Sequence, residues 1–111
     1  MSSHLQCQNS CEGSEFLADQ LKALGHPVRL GLVLQLLDKH DCCCGQLCDC
    51  FDQSQSTISQ HLAVLKDAGL VESEKQGNRV KYSLAPHALR DLEHFITDLN
   101  RTLSQKEAAP I

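Results

Sequence analysis

Crowded cysteines are the feature of this sequence that most clearly carries chemistry. Seven of the 111 residues are cysteines, and five of them fall between positions 42 and 50. Those five are Cys42, Cys43, Cys44, Cys48 and Cys50. The total is odd, and stable disulfides are not expected in a reducing compartment. Metal binding or thiol redox chemistry is therefore the better expectation.

The spacing of these thiols indicates which ions they suit. Cys44 and Cys48 are four residues apart, so on a helix their sulfurs share a face, and Cys43 can add a third sulfur from the preceding turn. Thiolates select soft ions. Three sulfurs suit As(III) or Sb(III), whereas four would suit Zn(II), Cd(II) or Pb(II), with Cys7 and Cys11 contributing. Further candidate ligands are Cys42 and Cys50.

Apolar periodicity predicts four helices that would position this segment. They run over residues 14–24, 27–39, 46–51 and 55–68. The second is apolar nearly all round, which predicts a central, buried helix. In the fourth, Ile58, Leu62 and Leu65 recur at helical spacing and should pack inward.

A hairpin and a last helix follow. Residues 70–84 predict two strands joined by a turn at 76–79. Pro86 opens an amphipathic helix to about Ser104, which we expect to pair with its twin in a homodimer. The predicted organisation is a flexible arm (1–13), one DNA-binding and dimerisation domain (14–104) and a disordered tail (105–111).

This order of elements predicts a mainly α fold with a small β-hairpin, the winged helix-turn-helix (α-α-α-α-β-β-α). In this fold the longer helix enters the major groove of DNA by its N-terminal part. Short hydroxyl and amide side chains there can bond base edges and phosphates. The candidate DNA-binding residues are Gln55, Ser56, Thr57, Ser59, Gln60, His61 and Lys66, with Lys75, Asn78, Arg79 and Lys81 in the hairpin.

Charge and composition exclude several other classes. The net charge is −4, so DNA binding must rest on local geometry, and residues 53–85 carry four basic against three acidic side chains. No apolar run approaches the roughly 18 residues of a membrane span. The N-terminus shows no signal-peptide pattern, so we expect a cytoplasmic protein. Neither a Gly-rich phosphate loop nor C-x5-R is present, so an enzyme is not expected.

Two stretches of the sequence resemble the ArsR/SmtB family of metal-responsive repressors. They are LKALGHPVRLGLVLQLL, and SQSTISQHLAVLKDAGLV with its QGNRVKYSL hairpin. The resemblance covers roughly residues 14–104. It implies a dimer that represses from imperfect palindromes in double-stranded operator DNA and lets go when an inducer binds.

The resemblance also implies where the inducer binds. The arsenic branch of the family places Cys-x-Cys, often with a third cysteine, on the short helix before the reading helix. Cys43 and Cys48 fall on the outer two positions, Gly45 occupies the middle one, and Cys44 is its natural substitute. We therefore expect a repressor induced by As(III) or Sb(III). The alternatives are a four-cysteine site for Cd(II), Pb(II) or Zn(II), and a sensor of thiol oxidation or persulfide.

Overall fold

The computed structural model describes residues 7–39 and 42–108 of the chain. Within this part, the chain forms five helices and a small three-stranded sheet. In chain order the elements are α1 (Cys7–Leu24), α2 (Pro27–Asp38), β1 (Cys42–Cys43), α3 (Cys44–Cys48), α4 (Gln55–Asp67), β2 (Val71–Gln76), β3 (Arg79–Leu84) and α5 (Arg90–Ala108). The strands form one antiparallel sheet in the order β1-β3-β2.

The hydrophobic core lies between α2, α3 and α4. Leu32, Val33 and Leu36 of α2 are buried there. Ile58, Leu62 and Leu65 of α4 are each completely buried, which confirms the prediction that they pack inward. Burying a leucine or isoleucine side chain contributes roughly 1.5–3 kcal/mol, so this cluster supplies much of the stabilisation of so small a chain.

The opposite face of α2 differs from the prediction. Leu30, Leu34 and Leu37 are 45%, 56% and 61% exposed, so the expectation of a helix buried all round is wrong for this stripe. The physical reason is that α2 packs against α1, α4 and β3 on one side. Apolar composition shows that a helix can be buried, but only the arrangement of its neighbours decides which faces are covered.

The sheet has three strands where the sequence predicted two. The predicted hairpin is present as β2 and β3, and Gly77, with φ of +62°, takes the first central position of its turn. Positive φ at this position is the geometry of a type II′ turn, which favours glycine. The extra strand β1 pairs with β3 and sets Cys42 opposite Tyr82 and Cys43 opposite Lys81. Two residues are too short to show the alternation that identifies a strand.

The short helix begins and ends earlier than predicted. It spans Cys44–Cys48 rather than 46–51. The backbone N–H of Cys43, in extended conformation, donates to Oε1 of Gln46 at 3.0 Å and so satisfies the start of the helix. After Cys48 the chain continues in a turn, in which the N–H of Phe51 donates to the carbonyl of Cys48.

The terminal helices also differ in extent. Helix α1 begins at Cys7 rather than at Ser14, so the backbone of the predicted arm is helical from that residue. Helix α5 begins at Arg90 instead of Pro86, because His87 has φ of +62°, a left-handed conformation that a helix cannot contain. It extends past Ser104 to Ala108. Residues 1–6 and 109–111 lie outside the described part, and the division into arm, domain and tail stays a prediction.

Two glycines near the cysteines make a matched pair for a stability test. A Cβ built on Gly31 would lie 2.7 Å from Cε1 of the Phe51 ring, whereas a Cβ on Gly45 meets nothing within 4 Å. We expect Gly31→Ala to lower the free energy of unfolding by about 1–3 kcal/mol, because the half-buried ring must move.

The control, Gly45→Ala, should leave that free energy unchanged or raise it by up to about 1 kcal/mol, because alanine favours helix over glycine. Urea unfolding followed by circular dichroism measures both variants. Equal stability of the two would contradict the packing of Phe51 on α2.

Candidate thiol site and nucleic-acid interface

Helix α3 directs two of its thiols toward the segment that leads into α4. The Cys48 sulfur lies 3.2 Å from the carbonyl oxygen of Gln53, and the Cys44 sulfur lies 3.7 Å from that of Gln55. In each pair the thiol donates to the carbonyl. The two cysteines are one helical turn apart, so a single short helix places both sulfurs against the start of α4.

Cys44 occupies the centre of a group of three thiols. Burial raises the pKa of the Cys44 thiol, and charge on Cys48 and then on Cys43 raises it further. Like charges raise a thiol pKa only when they lie close to it. Cys43, Cys44 and Cys48, which the sequence singled out and which lie at the N-cap, the first and the last position of α3, are called here the thiol cluster.

The other two thiols of this segment belong to a different surface. Cys42 is buried, and its sulfur lies 3.2 Å from the carbonyl oxygen of Lys39. Cys50 is exposed, with its sulfur 3.9 Å from the carbonyl oxygen of Gln46. Both line a separate cavity of about 280 Å³ beside α2. The turn from β1 into α3 thus separates five adjacent thiols into two groups.

The thiol cluster is not a preformed coordination site. Among the described residues, no three His, Cys, Asp or Glu side chains are grouped closely enough to hold a metal ion. Cys7 and Cys11 belong to α1, where the structure describes their backbone but not their side chains. An ion that bound all three thiols of the cluster would have to draw the start of α3 together.

The N-terminal half of α4 presents polar side chains to solvent. Ser54 caps the helix, and its Oγ accepts from the backbone N–H of Thr57 at 3.2 Å. Ser54 also donates to the Thr57 hydroxyl, so Thr57 is half-buried against its own helix. The exposed predicted DNA contacts in this half of the helix are Gln55, Ser56, Ser59 and Gln60.

The hairpin adds a second exposed polar surface. Lys75, Asn78 and Arg79 are exposed around its tip, and Lys81 is half-buried further along β3. The hairpin is called the wing from here on. Its cations, Lys75, Arg79 and Lys81, belong to residues 53–85, the stretch that carries more basic than acidic side chains.

Two of the predicted DNA contacts are engaged within the protein. The His61 ring lies 4.5 Å from the His26 ring, and its Nδ1 is 3.4 Å from a guanidinium nitrogen of Arg29. Burial lowers the pKa of His61, and the neighbouring His26 and Arg29 lower it further. Lys66 donates from Nζ to the Ser73 hydroxyl at 2.7 Å and so ties α4 to β2.

One open groove joins the thiols, the start of α4 and the wing. It has a volume of about 890 Å³. Its lining comprises Cys43, Cys44, Gly45, Gln46, Asp49, Gln55, Ser56, Ser59, Asn78, Arg79, Val80 and Tyr82. Tyr82 is a residue that sequence reasoning missed: burial raises its pKa, as does charge on Cys44. Only the pairing of β1 with β3 brings this ring to the thiols, so no local pattern could have shown it.

Within the described residues, no helix is both long enough and apolar enough to cross a membrane.

Comparison with known proteins identifies the family. Residues 26–73 match the model of the bacterial regulatory proteins of the arsR family. The chain is 47% identical over 66 residues to the arsenical resistance operon repressor of Escherichia coli K12. That match covers 60% of this chain and 56% of the repressor, so the chain spans little more than half of that relative's length.

Solved structures agree with the fold and the family. A possible transcriptional regulator for arsenical resistance is 36% identical, with a TM-score of 0.65, and the match covers 83% of this chain and 98% of that one. A homodimeric winged helix-turn-helix DNA-binding domain from Mycobacterium bovis has a TM-score of 0.69 over 86% of this chain and 88% of its own. At 23% identity this second likeness supports the fold alone. The chain has the predicted winged helix-turn-helix fold and belongs to the ArsR family of bacterial regulatory proteins.

Proposed function

We propose that this protein is a transcriptional repressor that releases its operator when As(III) or Sb(III) binds Cys43, Cys44 and Cys48. The observation that carries the proposal is the position of the Cys44 and Cys48 thiols, which donate to carbonyls at the entry to α4. The relatedness to an arsenical resistance repressor supports the same inducer. Binding at these sulfurs would act directly on the helix that reads DNA.

The surfaces of α4 and the wing suit double-stranded DNA. Gln60 and Ser59 are exposed where a recognition helix meets base edges, and amide side chains read adenine there. Arg79 and Lys75 at the wing suit phosphates, which supply most of the sequence-independent affinity. His61 is half-buried and helps to hold α4 to α2, whereas Lys66 is exposed and can reach a phosphate as well as tie α4 to β2.

The exposed face of α5 supports a homodimer. Ile96, Leu99 and Leu103 are 45%, 44% and 58% exposed and recur at helical spacing. An apolar stripe of this kind on a small domain is stabilised when a second copy covers it. A two-fold dimer presents two α4 helices, which is why its operator would be an imperfect palindrome with half-sites one helical turn apart.

The chemistry of induction is ligand exchange at arsenic. Each of three thiols replaces one hydroxyl of arsenous acid, so three S–As bonds form, three As–O bonds break and three waters leave. No electron is transferred, because arsenic stays trivalent. As(III) has one lone pair and three bonding positions, which three sulfurs would fill. Soft ligands such as sulfur select such ions over harder ones.

Once the inducer occupies the free protein, the two thiol–carbonyl contacts would carry its effect to α4. A sulfur bound to arsenic has no proton, so Cys44 and Cys48 would lose their donor contacts to Gln55 and Gln53. A thiol is a weak donor, so each contact contributes less than the about 0.5–1.5 kcal/mol of an ordinary hydrogen bond, and the rest of the roughly 1–3 kcal/mol that allosteric coupling typically needs would come from strain in α3. Drawing in Cys43 would also strain the start of α3.

A four-sulfur site for Cd(II), Pb(II) or Zn(II) is a second candidate. The helical backbone of α1 includes both Cys7 and Cys11, which are therefore one turn apart and share a face. Two sulfurs from α1 with two from the thiol cluster would complete a tetrahedral set. This candidate keeps the repressor and the reading helix, and changes only the inducer.

The first test measures release from DNA. A labelled duplex that the reduced protein selects from a random-sequence pool is titrated with arsenite by fluorescence anisotropy. We expect release at about one arsenite per protomer, with affinity falling roughly 5- to 150-fold or more. The double variant Cys44→Ser/Cys48→Ser should stay bound, because it lacks both sulfurs that contact the start of α4.

Cys50→Ser is the matched control, since that thiol lies in the other cavity, and it should respond as the unaltered protein does. Undiminished release of the double variant by arsenite would refute the thiol cluster as the inducer site. Release by cadmium or lead alone would move the inducer to the four-sulfur candidate.

The second test separates phosphate from base contacts. Arg79→Ala should weaken binding to every duplex and reduce the slope of log affinity against log salt by about 1, because one phosphate contact is lost. Gln60→Ala should cost about 1–3 kcal/mol on the selected duplex and little on a scrambled one. Lys106→Ala, on exposed α5, is the charge-matched control and should leave the slope unchanged. A salt slope unaffected by Arg79→Ala would exclude the wing from the interface.

The third test examines the electrostatics of the thiol cluster. Because burial and then Cys48 and Cys43 raise the pKa of Cys44, its alkylation by iodoacetamide should reach half-maximal rate at a higher pH than in the urea-unfolded protein. Cys48→Ser removes one of these charges, so the midpoint should fall toward the unfolded value. Peptide mass spectrometry reports the rate at each cysteine. If the midpoint pH for Cys44 is the same with and without Cys48→Ser, the two thiols do not lie side by side.

A further inference from the structure

Two members of the thiol cluster share one groove with the predicted DNA contacts. Cys43 and Cys44 line the groove of about 890 Å³ together with Ser56 and Ser59 of α4 and Arg79 of the wing. We infer that Cys43 and Cys44 form part of the DNA-contact surface, so that operator DNA and the trivalent inducer exclude each other from this groove. The inference rests on the proposed function and adds the manner in which the two ligands compete.

The position of the groove explains why DNA would fill it. A helix-turn-helix places its recognition helix in the major groove of DNA. A wing beside that helix would then face the phosphodiester strand that borders the groove. In this protein the space between α4 and the wing is the groove itself. Its two walls carry donors that suit phosphate oxygens, namely the hydroxyls of Ser56 and Ser59 on one side, and Asn78 and Arg79 on the other.

The thiols lie where α3 and β1 border this groove. Cys43 belongs to β1, which pairs with β3 so that Cys43 stands opposite Lys81. Cys44 follows at the first position of α3, with its sulfur near the Gln55 carbonyl at the start of α4. The cysteines are thus built into the same sheet and helix junction as the wing, and a strand of DNA seated between α4 and the wing would cover them.

The reactivity of the remaining thiols distinguishes direct coverage by DNA from a general stiffening of α3. Cys48 belongs to the thiol cluster but does not line the groove. Cys50 is exposed in the cavity on the α2 side. If DNA only rigidified α3, Cys48 would be shielded together with Cys44. Direct coverage shields Cys43 and Cys44 and leaves Cys48 and Cys50 reactive.

The experiment measures N-ethylmaleimide modification of each cysteine by peptide mass spectrometry, in the free protein and on the selected duplex. Covered thiols react only in the unbound fraction, so Cys43 and Cys44 should slow about tenfold when the duplex occupies about nine-tenths of the protein. Cys48 and Cys50 should keep their free rates. A scrambled duplex at the same concentration, which leaves most protein unbound, is the control.

Equal shielding of Cys44 and Cys48, or shielding of neither, would overturn the inference while leaving the repressor intact.

A stopped-flow measurement gives an independent readout. If the ligands exclude each other, the rate of release should stop rising at high arsenite. It should then equal the spontaneous dissociation rate of the complex, which is measured by adding excess unlabelled duplex. A rate that keeps rising with arsenite would mean that arsenite attacks the bound complex. Failure to select any duplex would overturn the proposed function itself, and this inference with it.

Discussion

Leu47 is the one buried side chain of α3, and its contact with the core determines the direction of every thiol on that helix. With Leu47 held between α2 and α4, Cys44 and Cys48 turn toward the start of α4. Cys42 and Cys50 are left on the side of α2. A five-residue helix has little stability of its own, because nucleation is costly and few backbone hydrogen bonds form. Its geometry therefore depends on this one anchor and on the contacts of its ends.

That weakness suits a sensor. An element held by one apolar anchor, one Gln46 contact and two thiol–carbonyl contacts can be distorted by the modest free energy that ligand binding supplies. Helix α4, in contrast, is held by three fully buried side chains, so it should resist distortion better than α3. The boundary between the deformable and the rigid element is the segment from Gln53 to Gln55, and both thiols contact it. In the proposed repressor, the inducer site and the DNA-contact surface would thus be separated by a single turn of chain.

Much of the fold follows from local pattern. The spacing of Ile58, Leu62 and Leu65 predicted α4, the turn at 76–79 predicted the wing, and apolar periodicity over 27–39 predicted α2, because each reflects chemistry of neighbouring residues. The start of α5 was misplaced because His87 adopts a left-handed backbone, which its residue type does not require. Strand β1 was missed because a two-residue strand exists only through its partner. The exposure of Leu34 was missed because apolar character does not say whether a neighbour is present.

The same distinction holds for the site. The sequence by itself determined that soft, sulfur-rich chemistry lies next to a DNA-reading helix, because residue type and proximity along the chain are enough for that. It also singled out Cys43, Cys44 and Cys48, because Cys44 and Cys48 are spaced for one face of a helix and Cys43 comes just before it. Only the tertiary structure decided that Cys42 and Cys50 lie on another surface, that His61 and Lys66 are engaged within the protein, and that Tyr82 meets the thiols. These relations join residues distant in sequence, and packing and strand register, which no local pattern encodes, bring them together.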